Sequence, residues 1–287
     1  MWIVWLALFA GLPAAVAGWE ARAPREAGEA HFARRGLSHG VRPPSPPPPV
    51  EPVAVYALPA DRARALNAAI PFSRLANPAA RPFRFEGSET DLARAVDCLA
   101  AAQIYEAGDD AVGERAVAQV VLNRVRHPAF PKTVCGVVFQ GQERTTGCQF
   151  TFSCDGALAR TPSPAAWDRA RAIARGALAG DVFKPVGYAT HYHTDWVVPY
   201  WSGSLDKLTR VGTHLFFRWR GWWGTPPAFR TRTIDGGEPL IGRIARLSPA
   251  HSMATPLLPG AITPMADSAD AIAAQARQAI GLDQIGK

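Results

Sequence analysis

A mainly helical α+β domain with a small β element is the fold this sequence predicts, and three observations predict it. Apolar residues recur every three or four positions in three stretches between 91 and 178, and after 188 the period changes to two. Most of the 26 Pro fall outside this middle, so one core with poorly packed flanks is expected from the 287 residues rather than two domains.

The elements follow in chain order. Residues 1–17 are apolar, with Leu6, Leu8 and Phe9 forming a hydrophobic stretch and Ala15-Val16-Ala17 a small-residue cleavage pattern, which predicts a signal peptide or a short membrane anchor. Residues 18–60 are charged and then proline-rich (Pro43, Pro44 and the run 46–49), a composition that forms no core and favours an extended linker. Residues 61–90 join a short helix pattern (Ala63, Leu66, Ala69, Ile70) that stops at Pro71 to Pro78, Pro82, Phe83 and Phe85, a strap packed on the domain. The domain itself is expected over 91–224. Its first helix covers 91–106, where Leu92, Val96, Leu99, Gln103 and Glu106 share a face. A second runs from about 112 to 125, with Asp109 or Asp110 as N-cap and Ala116, Val120 and Asn123 on one stripe. A third covers 164–178, carrying Trp167, Ala170, Ile173, Ala174 and Ala177, and Gly180 closes it. Residues 188–194 and 211–219, rich in aromatic and β-branched side chains, predict short strands. Residues 225–287 read as a low-complexity C-terminal tail with one weak amphipathic helix at 266–280.

Lys and Arg outnumber Asp and Glu by 31 to 24, a net charge of +7 that suits a polyanionic partner: nucleic acid, anionic lipid or an acidic wall polymer. The export segment turns this choice towards the cell envelope or periplasm, with no nucleic-acid partner. Four cysteines (Cys98, Cys135, Cys148, Cys154) fit an oxidising compartment and two disulfides, with all three pairings open. The even count also argues against Cys154 and His191 as a peptidase pair.

One carboxylate stands out. On an apolar helix face near a helix C-terminus, both desolvation and the dipole hold the Glu106 proton, as a general acid requires. The bland alternative pairs Glu106 with Arg115 or Arg124. Asn123 is a core amide or a substrate hydrogen-bond donor. Gln149, Thr151 and Ser153 alternate with Phe150 and Phe152, which in an extended segment would give a polar edge beside an aromatic face, as in a sugar groove. His191, His193 and Asp195 share a strand face, and with His214 they raise a zinc site, although no HExxH or paired CxxC accompanies them. The aromatics Trp196, Tyr200, Trp201, Trp219, Trp222 and Trp223 suit stacking on sugars as well as a core.

With these residues in hand, 91–218 resembles the cell wall hydrolase family typified by the catalytic domain of spore cortex-lytic enzymes. The carriers are Tyr-Glu-Ala around Glu106, AVAQVVLNRV at 116–125, FPKTVCGVVFQ at 130–140, CQFTFSCDG at 148–156, YATHYH at 188–193 and VGTHLFFR at 211–218. The resemblance implies a lysozyme-like, transglycosylase-like domain. It implies a muramidase or lytic transglycosylase that cuts between N-acetylmuramic acid and N-acetylglucosamine with one catalytic Glu, here Glu106. Where members often carry Glu-Ala-Arg-Gly-Glu, this chain has Glu106-Ala107-Gly108-Asp109-Asp110, so the second acid is shortened to Asp110. Substrate contacts are expected from Asn123, Gln149, Phe150, Ser153, His191, Tyr192, His193 and Trp201, with no cofactor and no metal. The expected partner is the peptidoglycan glycan strand, met by a monomer with possible N-terminal membrane anchoring. Two competing readings are a metal-dependent peptidoglycan amidase or endopeptidase built on His191, His193 and His214, and a non-catalytic wall-binding domain.

Overall fold

The computed structural model describes residues 43, 45–50, 54–145, 147–230 and 237–252; the expected signal or anchor, most of the linker and the 266–280 helix lie outside them. Helix α1 spans Ala60–Ala69, α2 Glu89–Ala107, α3 Ala111–Arg126, α4 Val134–Val138 and α5 Pro164–Ala179. Among the described residues, no helix is long and apolar enough to cross a membrane.

Local chemistry sets the helix ends. Ser88 and Asp91 form a capping box on α2: Ser88 Oγ accepts from Asp91 N–H at 3.1 Å while Asp91 Oδ2 accepts from Ser88 N–H at 3.3 Å. Gly108, at φ 67°, ends the helix immediately after Glu106 and Ala107. Asp110 caps α3 through Val112 N–H at 3.0 Å, and Ser163 followed by Pro164 opens α5. Small side chains on the facing surfaces (Ala95, Ala100, Ala101 and Ala102 on α2, Ala116 and Ala118 on α3, Ala170 and Ala174 on α5) let the three long helices pack closely, with Leu99, Val117, Val121 and Leu122 filling the core. The Cys98–Cys135 disulfide ties α2 to α4, and Cys148–Cys154 closes a short loop.

The sheet is antiparallel throughout, in the order β1-β3-β2, with β1 at His191–Thr194, β2 at Asp206–Val211 and β3 at His214–Arg218. Val211 pairs with His214, leaving Gly212-Thr213 as a two-residue turn in which Gly212 takes φ 54°. Tyr192 lies opposite Phe216 and His191 opposite Phe217, so the sheet's two faces carry different sets. Phe216 and Tyr192 pack with Ala116 and Val120 of α3. The sequence pattern omits β2, because its buried Lys207 breaks the apolar alternation; Lys207 Nζ donates to the Asn67 and Ile70 carbonyls at 2.7 and 2.9 Å.

Between α1 and α2 the chain runs extended over the domain. Ser73 N–H donates to Lys207 O at 2.7 Å, Asn77 Nδ2 to Pro185 O at 3.0 Å and Phe85 N–H to Leu178 O at 2.9 Å. The fold also uses residues past 224, where the sequence suggested only a tail. Phe229 is buried against His127 and Tyr188, and the Glu238 carboxylate accepts from the Val134 and Cys135 N–H groups, both at 2.8 Å, at the start of α4. Residues 240–252 belong to a separate unit containing two single 3₁₀ turns, within which His251 Nδ1 accepts from Ile241 N–H at 3.0 Å.

Candidate active site

Helix α2 delivers Glu106 in its last turn, where it is half-buried: crowded by protein yet still in contact with solvent. Tyr192 on β1 donates its phenolic O–H to Glu106 Oε2 at 3.0 Å. Burial pushes the Glu106 carboxyl from 4.5 up to about 7, against the downward pull of the Tyr192 hydrogen bond and the Arg124 charge, and Asp155 adds a smaller upward push. A carboxylic acid balanced near neutrality holds its proton often enough to give it and its charge often enough to take one back.

Arg124, on the α3 face next to Asn123, was legible in the sequence only as a possible ion-pair partner. Its guanidinium is buried between the rings of Phe130 and Phe150, at 5.2 and 5.1 Å, and its Nε donates to Thr190 O at 2.7 Å. Its Nη1 is buried with no hydrogen-bond partner among the described residues. Phe150 also tilts against the Tyr192 ring at 6.5 Å, while Phe152 stacks on Tyr105, the neighbour of Glu106, at 5.2 Å. The Cys148–Cys154 loop therefore braces both Tyr192 and the end of α2, and Asp155 follows it directly.

At the turn between α2 and α3, the buried Glu114 carboxylate is paired with a partly exposed arginine. Glu114, fully buried on α3, receives Arg169 of α5 through Nη2 at 2.7 Å and Nε at 3.3 Å, and the same Nη2 meets Asp109 at 2.6 Å. Asp110, the position of the shortened second acid, spends its carboxylate on the α3 cap.

Several sequence expectations need correction. Residues 149–153 do not run extended: Thr151–Ser153 form a 3₁₀ turn within the disulfide loop, so Phe150 and Phe152 both point inward and no polar edge forms. Ser153 is fully buried and its Oγ donates to Phe150 O at 2.8 Å; Gln149 is half-buried in the same loop. Asn123 is buried, its Nδ2 donating to the Gly187 and Ala189 carbonyls at 2.9 and 2.8 Å while its Oδ1 accepts from Gln119, so it staples α3 to the chain entering β1 rather than facing a groove.

His191, His193 and Trp201 form an aromatic cluster with Phe217 on the sheet face opposite Tyr192. The alternation of β1 sends Tyr192 to Glu106 and both histidines away from it. Burial keeps His193 neutral down to about 4 and lowers the His191 pKa well below the usual histidine range, as expected of core imidazoles. His214, opposite Thr194 and in ring contact with Tyr192, lies on the other face, so the three histidines do not converge; among the described residues they form no metal-ligating group. Asp195 is taken by Arg64 and Arg210, at 3.2 and 2.7 Å. Of the remaining aromatics, Trp219 and Trp223 are core around His127, Trp222 packs edge-on against Trp223, and Trp196 and Tyr200 are exposed. Cys154 is in a disulfide and offers no thiolate.

Residues 108–217 match the Cell Wall Hydrolase family, a stretch that begins two positions after Glu106. The chain is similar to proteins named spore cortex-lytic enzyme. That of Halalkalibacterium halodurans is 36% identical over 110 residues, covering 38% of this chain and 30% of that protein. That of Bacillus cereus is 32% identical over 110 residues, covering 38% of each, and that of Bacillus subtilis is 31% identical over 126 residues, covering 44% and 35%. The chain thus spans about a third of the length of the curated relatives it matches. No solved structure gives a significant match.

Proposed function

We propose that this chain, which carries a cell wall hydrolase domain over residues 108–217, cleaves the glycan strands of peptidoglycan and that Glu106 is its general acid and base. The observation that carries the proposal is the half-buried Glu106 carboxyl at a helix end, held by Tyr192 and balanced near neutral pH. Its proton passes to the oxygen between N-acetylmuramic acid and N-acetylglucosamine as the C1–O bond breaks. The carboxylate left behind then takes the proton of the muramoyl 6-hydroxyl while that oxygen bonds to C1, giving a 1,6-anhydro product. One carboxylate suffices, because the substrate supplies the nucleophile. Among the described residues Glu106 is the carboxyl that Tyr192 holds, which favours this lytic transglycosylase route; hydrolysis would need Asp155, within electrostatic reach of Glu106, as the second acid.

The work is done in the cell envelope. Two disulfides suit an oxidising compartment, the basic charge suits an acidic wall polymer, and the apolar 1–17 segment supplies export or anchoring, with the periplasm as the expected site of a freed domain. Mass spectrometry of the muropeptides released from purified sacculi tests the reading. Anhydro-muramic ends are expected. Ordinary reducing ends would replace the transglycosylase route by hydrolysis, and released peptides without glycan cleavage, or binding without release, would overturn the glycosidase reading.

A further inference from the structure

A buried cation without a matched anion is costly, and Arg124 is one when Glu106 is protonated. Its guanidinium lies between two phenylalanine rings with one nitrogen on Thr190 O and another, Nη1, buried and unpartnered. The charged and titratable groups around it are Glu106 from α2, Tyr192 and His191 from β1, and Asp155, which reaches Glu106 from the loop after Cys154. Tyr192 is kept as a neutral phenol by burial and the neighbouring carboxyl, and the Phe150 ring lies against both the Arg124 guanidinium, at 5.1 Å, and the Tyr192 ring, at 6.5 Å, whose O–H donates to Glu106 at 3.0 Å, so the cation and the acid belong to one packed group. The one group near Arg124 whose charge changes during the proposed reaction is Glu106.

We propose that Arg124 is a positioning residue that acts through Glu106: its fixed, desolvated charge stabilises the carboxylate formed when the Glu106 proton passes to the glycosidic oxygen. This deepens the glycosidase reading and rests on it. The interaction is stronger after proton donation than before it, so it lowers the barrier rather than merely tightening substrate binding. Phe130 and Phe150 exclude water from the cation, and the Cys148–Cys154 loop holds Phe150 in place.

The test follows the Glu106 proton directly. In protein labelled with ¹³C-glutamate, the Glu106 carboxyl is titrated by NMR in the wild type, Arg124→Met and Arg124→Lys, beside the pH profile of kcat/KM on sacculi. Arg124→Met is expected to move both the carboxyl midpoint and the alkaline limb of the profile to higher pH and to lower maximal kcat about a hundredfold, the loss typical of one preorganised charge-stabilising group. Arg124→Lys, which keeps the charge, is expected to restore most of the midpoint. A folded Arg124→Met protein whose midpoint and limb stay in place overturns the proposal. A second measurement needs no change at Arg124: its ¹⁵N side-chain signals in the wild type should shift with the Glu106 midpoint and lose that shift in Glu106→Gln, and signals that ignore Glu106 overturn the proposal equally. Full activity in Glu106→Gln would instead remove the glycosidase reading itself, so the two failures are told apart.

Discussion

Replacing Glu106 by Gln removes a proton equilibrium that costs the folded protein stability, so the variant should gain stability as it loses activity. In the folded protein the carboxyl holds its proton up to about pH 7, against 4.5 for an ordinary glutamate. Below 4.5 both folded and unfolded chains are protonated there, and Glu106 contributes no pH dependence. Between 4.5 and about 7 the folded state binds the extra proton, so stability falls as pH rises, and above that window the loss is complete. At about 1.4 kcal/mol for each tenfold change in the proton equilibrium, the full loss is at most about 3.5 kcal/mol, and the partial solvent contact of a half-buried side chain trims it towards about 2 kcal/mol. Gln resembles the protonated acid and carries none of this. The stability difference between Glu106→Gln and wild type, from urea unfolding, should therefore grow by about 2 kcal/mol between pH 4 and pH 8, a midpoint shift of the order of 1 M urea. Every other titrating group is common to the two proteins and cancels in the difference. A difference that is the same at both pH values would refute the reasoning, because Glu106 would then have an ordinary carboxylate environment.

The same proton sets the rate: kcat/KM should be flat below about pH 6, half-maximal near pH 7 and fall about tenfold per pH unit beyond about pH 8, as read from turbidity loss of sacculi. Arg169→Ala leaves Glu114 buried without its partner and should cost about 3 kcal/mol or more in chemical denaturation, with activity falling as the turn between α2 and α3 loosens. Removing Cys98–Cys135, which spans 37 residues, should cost about 4 kcal/mol of stability, against about 2 for the six-residue Cys148–Cys154 span, yet the second should lower activity more, because it braces Phe150 and Phe152 beside the site. EDTA treatment should leave activity unchanged, since His191 and His193 lie on the sheet face opposite His214; loss of activity restored by zinc would reopen the metal reading.

What the sequence made legible, and what it hid, follows from the range of the interactions involved. The helices were legible because their signals are local: the 3.6-residue period, the capping acid at Asp110 and the glycine at 180 all act within a few residues of themselves. Helix phase brought Glu106 to the inner face for the same reason. Strand β2 escaped because its buried Lys207 is satisfied by carbonyls at Asn67 and Ile70, far away in sequence. The period of two was correctly read at His191 and His193, yet period alone does not say which face meets the acid; the pairing with Phe217 and Phe216 decides that, and gives Tyr192 to Glu106.

The loop at 148–154 shows a different limit. Alternating polar and aromatic residues predict an extended edge, but a disulfide six residues apart draws the ends together and turns the segment into a 3₁₀ bend with both rings inside. The aromatic residues that looked suited to sugar instead brace Tyr105, Tyr192 and Arg124. Phe150, expected at the substrate, thus lies with Phe130 against the Arg124 guanidinium and packs on Tyr192, which holds the Glu106 carboxyl. In this domain the groups that set the proton affinity of Glu106 come from α3, β1 and the disulfide loop, so the acid's strength depends on the assembled fold rather than on the motif around it.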